Sequence, residues 1–248
     1  MQLVLWDIDG TLVRSRGGRV SLTAFMHALR AACAVELTRD PNGRLVYPAD
    51  VGGKTDPQIV LEILVEHLGA ERAEALLEPF GSAYLDQLRQ QREALAADLR
   101  VLPGVPEALA RLQQLGVCQT LLTGNLEPVA RLKLACAGLD HVFAFDLGAY
   151  GSDHRDRTRL VPITLERVRA ATGQVPEHVV VIGDTPRDVA CARAGGARAV
   201  AVATGSYSLA ELAAHQPDVV LEDLHDTDAV LEALLGYSTH RSQSAPIV

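Results

Sequence analysis

The sequence predicts an α/β fold, a doubly wound parallel sheet interrupted after its first strand by an inserted all-helical block. Three observations carry that prediction. The apolar run Leu3-Val4-Leu5-Trp6 reads as a buried strand, and it stops abruptly at Asp7-Ile8-Asp9-Gly10-Thr11. From residue 105 to about 235, helical and strand-like patterns alternate, which implies right-handed crossovers and a sheet covered on both faces. Between these two regions, residues 16–97 carry helical patterning and no convincing strand.

The elements follow in order. After a glycine-containing linker at 12–18, a helix is expected on 21–29 with Ser21 as its N-cap. Asp40-Pro41-Asn42-Gly43 reads as a turn. Thr55-Asp56-Pro57 opens a helix through Ile59 and Leu68, with proline in the first turn, and a long amphipathic segment runs from Ala70 to Leu99. Leu102-Pro103-Gly104 marks the return linker, and a helix occupies Val105 to Leu115. A strand from Val117 to Leu122 closes on Thr123-Gly124-Asn125. A helix from Glu127 to Ala137, a strand from Val142 to Gly148, a loop at 150–160 and a helix from Pro162 to Ala171 come next. The strand His178 to Ile182 closes on Gly183-Asp184, followed by a helix at Pro186–Ala194 and a strand at Arg198–Ala203. Residues 1–15 with 98–236 thus form a core, 16–97 a helical insertion, and 237–248 a polar, frayed tail.

Composition narrows the function. The 248 residues are 48% hydrophobic and 22% charged, the balance of an ordinary globule. A net charge of −8 argues against a nucleic-acid binder, which needs a basic face for phosphates. Cysteines 33, 118, 136 and 191 lie in separate apolar segments without a Cys-x-x-Cys pair, as reduced thiols of a cytoplasmic protein do. With site-like residues from Asp7 onward and no membrane-length apolar run, neither a signal peptide nor a membrane span is expected.

Three strands end in polar residues: Asp7 with Asp9, Thr123 with Asn125, and Asp184 with Asp188. In a doubly wound sheet these ends share one edge, where ligands bind. A carboxylate there can attack phosphorus. Magnesium prefers one or two carboxylates together with waters and a phosphate oxygen. The hydroxyl of Thr123 and the N–H groups of Gly124 and Asn125, where a strand turns into a helix, suit a phosphate oxygen. A calcium loop is a poor alternative, since its fifth and twelfth positions would be Thr11 and Gly18. Gly53-Lys54-Thr55 also fails as a nucleotide loop, because its first glycine would fall at Pro48 and no strand leads in.

Asp-x-Asp-Gly-Thr after an apolar strand, Leu-Leu-Thr-Gly-Asn, and Gly-Asp-Thr-x-x-Asp resemble, in this order, motifs I, II and IV of the haloacid dehalogenase superfamily. The helical insert between motifs I and II is similar to the C1 cap of its phosphoglycolate-phosphatase-like members. The resemblance spans roughly residues 1–235 and implies a Rossmann-like core, a magnesium cofactor and a small phosphorylated metabolite as substrate. It implies Asp7 as nucleophile and Asp9 as proton partner, with Asp7, Asp9, Asp184 and Asp188 at the metal. It favours a phosphatase, because halide leaves without a proton whereas an alkoxide needs an acid such as Asp9. That role calls for a raised Asp9 pKa.

One motif departs from the pattern. The lysine expected before the helix preceding motif IV is missing from Asp153 to Pro162. Arg159 and Arg157 are the nearest replacements for phosphate binding, and Lys133 is a third candidate. Arginine brings a planar fork in place of a point charge. Lys54, the other lysine of the chain, is placed in the cap as a specificity residue facing substrate. Three rivals stay open: a phosphomutase of the β-phosphoglucomutase type, a phosphonate hydrolase using Lys54, and a non-catalytic binding protein on the same fold.

Overall fold

A computed structural model describes residues 1–38, 40–42, 46 and 51–236. The turn expected at 40–43 is described through Asn42, whose N–H is held by the Asp40 side chain at 2.9 Å; Gly43, Pro48 and the tail from residue 237 lie outside the described residues.

The chain opens with β1 (Gln2–Trp6) and a short β2 (Val13–Ser15). Five helices follow: α1 (Val20–Cys33), α2 (Asp56–Leu68), α3 (Ala70–Ala75), α4 (Leu77–Gln90) and α5 (Arg92–Asp98). The long amphipathic segment is therefore three helices broken at Leu76 and Gln91. No strand lies between 16 and 97 among the described residues. α1 begins one residue before the expected cap: Arg19, in a left-handed conformation at φ 54°, holds the cap position and Ser21 lies in the first turn.

After β3 (Leu99–Val101) come α6 (Val105–Gln114), β4 (Cys118–Leu121), α7 (Glu127–Ala137) and α8 (Leu160–Thr172). They are followed by β5 (His178–Gly183), α9 (Pro186–Ala194), β6 (Arg198–Val202), α10 (Leu209–Ala214), β7 (Val219–Leu221) and α11 (Thr227–Leu235). The main sheet is wholly parallel in the order β4-β1-β5-β6-β7.

The strand expected at Val142–Gly148 does not form. Phe145–Leu147 makes a tight helical turn, closed by Leu147 N–H to Ala144 O and Gly148 N–H to Phe145 O, both at 3.0 Å. Only a bridge between Leu122 and Ala149 remains beside the sheet. Thr120 Oγ1 and Tyr150 Oη donate to carbonyls of the turn and hold it off a ladder. α8 begins at Leu160, before the expected Pro162. Asp156 caps a short turn at Arg157–Arg159 that runs straight into it, and proline costs nothing in a first turn.

Side-chain alternation along β1 sends Val4 and Trp6 into one apolar layer and Leu3 and Leu5 into the other. Trp6 is fully buried, as expected of a core residue. The first layer continues into the helical segment, where Phe25 meets Phe80 and Tyr84 at centroid distances of 4.9 and 5.6 Å.

β2 and β3 pair antiparallel at the junction of helical segment and sheet. The buried Asp98 clasps this junction, accepting from Gly18 N–H at 2.7 Å and Ser15 Oγ at 2.8 Å, while its carbonyl takes Arg16 N–H at 2.7 Å. All four cysteines are free thiols. Among the described residues no helix is long and apolar enough to cross a membrane.

Candidate active site

Strand order brings the polar strand ends together: β1 lies between β4 and β5, so Asp7, Thr123 and Asp184 leave adjacent carboxyl ends. Asp7 N–H continues the ladder to Ile182 O at 3.0 Å. The chain then turns on Gly10, at φ 89°, where a Cβ would run into the Asp184 carboxylate. This close approach lets Thr11 Oγ1 reach Asp184 Oδ1 at 3.4 Å.

Carboxylate oxygens of Asp7, Asp184 and Asp188 lie within 4.8 Å of one another, all three residues buried. Burial, then the Asp188 and Asp9 charges, push the Asp7 pKa up to about 7 against the opposing pull of Arg157. Burial, followed by Asp7 and Asp188, raises Asp184 to about 8. Three carboxylates set against the single Arg157 guanidinium leave excess negative charge on hard oxygen donors, which fits a divalent metal site. Asp188 is the most committed of the three. Its Oδ2 caps α9 by accepting from Thr185 N–H at 2.9 Å and Oγ1 at 2.6 Å, and its Oδ1 pairs with Arg157.

The Asp9 carboxylate does not join this cluster. Its Oδ2 accepts from Lys133 Nζ at 2.6 Å and from Asn125 Nδ2 at 2.8 Å. Burial would raise its pKa, but the Lys133 charge and these hydrogen bonds outweigh that and lower it, contrary to the rise expected from sequence. The side chain remains about half exposed and lines the cavity.

Arg157, rather than Arg159, lies at Asp7. Its Nη2 donates to Asp7 Oδ1 at 2.8 Å and to Asp188 Oδ1, and its Nη1 donates to Gly53 O at 3.0 Å. The guanidinium thus ties the end of β1 and the first turn of α9 to the loop before α2. Arg159 is exposed, two residues along a turn that points only Arg157 inward. Lys54 lines the cavity, but its Nζ pairs with Glu62 Oε2 at 2.6 Å.

Thr123 is buried and its Oγ1 accepts from Asn125 N–H at 3.3 Å. At Gly124 a Cβ would overlap the Lys54 carbonyl, so only glycine admits the loop before α2 so close to the sheet. Gly124 O accepts from Asp56 N–H at 2.7 Å, and Asp56 Oδ2 accepts from Leu126 N–H at 3.0 Å. Sequence reading assigned Asp56 only to a helix start, and Thr55 does cap α2. Its place in the cavity wall depends on that approach, for which no local signal exists. The cavity of about 380 Å³ is walled on one side by the strand ends and on the other by residues 51–56. Two of its side chains, Asn125 and Arg157, hold buried atoms (Oδ1 and Nε) with no partner among the described residues, which a bound ligand or water would satisfy.

Fold and site define a class: a Rossmann-like α/β protein with an acidic centre where parallel strands end. The chain belongs to the haloacid dehalogenase-like hydrolases, whose family model matches residues 1–196. It is 29% identical over 241 residues to a probable phosphatase, IndB, of Dickeya dadantii, covering 96% of each chain. It is 31% identical over 228 residues to a phosphoglycolate phosphatase of Synechococcus elongatus, covering 91% of this chain and 95% of that one. The crystal structure of a predicted phosphoglycolate phosphatase from Haemophilus somnus superposes with a TM-score of 0.62 at 20% identity, covering 93% and 97%, and supports the fold.

Proposed function

We propose that this protein is a magnesium-dependent phosphomonoester hydrolase that cleaves a small phosphorylated metabolite through an aspartyl-phosphate on Asp7. One observation carries the reading. Asp7 lines a partly open cavity, within 4.8 Å of two further carboxylates and held by a buried arginine. The phosphatase names of the relatives support it.

Asp7 and Asp184 hold the metal, with Asp188 braced against them. Bound there, magnesium offsets the carboxylate charge so that a phosphate dianion can approach. Arg157 fixes the attacking oxygen of Asp7 and adds positive charge beside the phosphoryl group. Thr123 Oγ1 and the N–H groups at Gly124 and Asn125 bind the phosphoryl oxygens. Asp7 attacks phosphorus, the ester bond breaks, and Asp9 gives the leaving oxygen its proton. An incoming dianion raises the Asp9 pKa and lets it carry that proton despite Lys133. In the second step Asp9, now ionised and held so by Lys133 and Asn125, takes a proton from the water that splits the phosphoenzyme. Residues 16–97 act as a cap over the site, and the ribbon at Val13–Ser15 and Leu99–Val101 with its Asp98 clasp serves as the hinge.

The test is hydrolysis of an aryl phosphate by the purified chain, with no phosphorylated activator, before and after chelation with EDTA. Turnover that is lost on chelation and returns with magnesium is expected. No turnover with magnesium present would leave a binding protein on this fold.

A further inference from the structure

Next to the main cavity lies a smaller one of about 150 Å³, lined by Leu22, Phe25, Leu37, Val51, Ile59 and Tyr84. Val51, Asp56 and Ile59 are walls of both, so the small lobe adjoins the main cavity on its helical side. A lobe of this volume, apolar except for the Ser21, Asp56 and Tyr84 polar atoms on its wall, is large enough for a benzene ring. Its far wall is rigid, because Phe25 packs edge-on against both Phe80 and Tyr84.

Charge points the same way. No cationic side chain lines the lobe among the described residues, and its charged wall is Asp56. Of the nearby cations, Lys54 is paired with Glu62, Lys133 with Asp9, and Arg157 with Asp7 and Asp188, while Arg14, which donates to Thr204 O, lines the main cavity but not the lobe. A second anion carried into the lobe, whether carboxylate or phosphate, would stand against Asp56 without a cationic partner there.

We propose that the substrate's leaving group is an uncharged ring or branched alkyl group that enters this lobe, so that the preferred substrates are apolar phosphomonoesters carrying no second anion. This deepens the hydrolase reading and rests on it. It also separates this chain from a phosphoglycolate-type preference, in which the leaving group bears a carboxylate.

The test measures binding as well as turnover. Benzylphosphonate and phosphonoacetate, two stable phosphonates, are titrated calorimetrically into the full chain with magnesium present. Benzylphosphonate is expected to bind at least about 10-fold more tightly, the scale set by one or a few apolar groups in a fitted pocket. Leu22→Trp, which fills the lobe, is expected to weaken benzylphosphonate more than inorganic phosphate. Equal or reversed preference between the phosphonates, no binding of benzylphosphonate, or a uniform loss in Leu22→Trp overturns the proposal. Hydrolysis of acetyl phosphate reports on the hydrolase reading separately. If it is not cleaved while benzylphosphonate is still preferred, that reading falls and the lobe's selectivity stands.

Discussion

Lys133 Nζ and Asp9 Oδ2 stand 2.6 Å apart, joining the middle of α7 to the turn after β1. The lysine is buried and the carboxylate opens onto the cavity, so the pair fixes both the position and the charge of Asp9. Lys133→Met removes the cation that lowers the Asp9 pKa. The acidic limb of the kcat profile, which marks loss of the ionised base, should then move to higher pH. A limb that stays in place would assign it to another group.

Asp7→Asn keeps the shape of the nucleophile and removes its charge. Turnover of an aryl phosphate should fall by at least about 10³-fold, while circular dichroism stays that of the parent chain. Full activity in this variant would remove Asp7 from the chemistry.

Arg157→Lys tests the planar fork. One ammonium cannot hold Asp7, Asp188 and the Gly53 carbonyl together in the guanidinium's geometry. We expect kcat to drop about 10- to 100-fold, with partial stability retained. Arg157→Met should cost about 3 kcal/mol or more, since it strands buried carboxylates. Urea denaturation of the two variants separates these outcomes.

Metal-free protein should lose stability as pH rises. Burial pushes the Asp7 carboxyl up to about 7 and Asp184 up to about 8 in the folded chain, against about 3.9 for a free aspartate. Between those limits the folded chain binds more protons than the unfolded one, so stability is full below about pH 4 and declines up to about pH 8. Magnesium should reverse the decline, and its effect on Tm should be largest on the alkaline side. A Tm shift that does not vary with pH would place the metal away from these carboxylates.

Asp98→Ala removes the acceptor for Gly18 N–H and Ser15 Oγ at the junction. A loss of about 1–3 kcal/mol in chemical denaturation is expected from the two hydrogen bonds to the buried carboxylate that are lost. KM should rise more than kcat falls if the ribbon is the hinge of a closing cap.

Much of this was readable from residue order, because the deciding interactions are local. Apolar runs of strand length, proline in first turns and glycine after helices placed four of the five sheet strands, and α7 and α9 to the residue. The strand ends carrying Asp7, Thr123 and Asp184 were legible because Asp and Gly are out of place at the close of a buried strand. Local patterning failed at Val142–Gly148, where hydrogen bonds from Thr120 and Tyr150 favour a turn over a further strand beside β4. It was also silent on which cation serves which carboxylate. Arg157 and Arg159 differ by two residues of one tight turn, and only the packing of that turn buries the first and exposes the second. Lys133 reaches Asp9 across 124 residues of chain, and Asp56 meets Gly124 only because the helical segment folds back over the sheet edge. Such pairings depend on how separate elements dock, and docking is settled by the burial of whole faces rather than by any single stretch of residues.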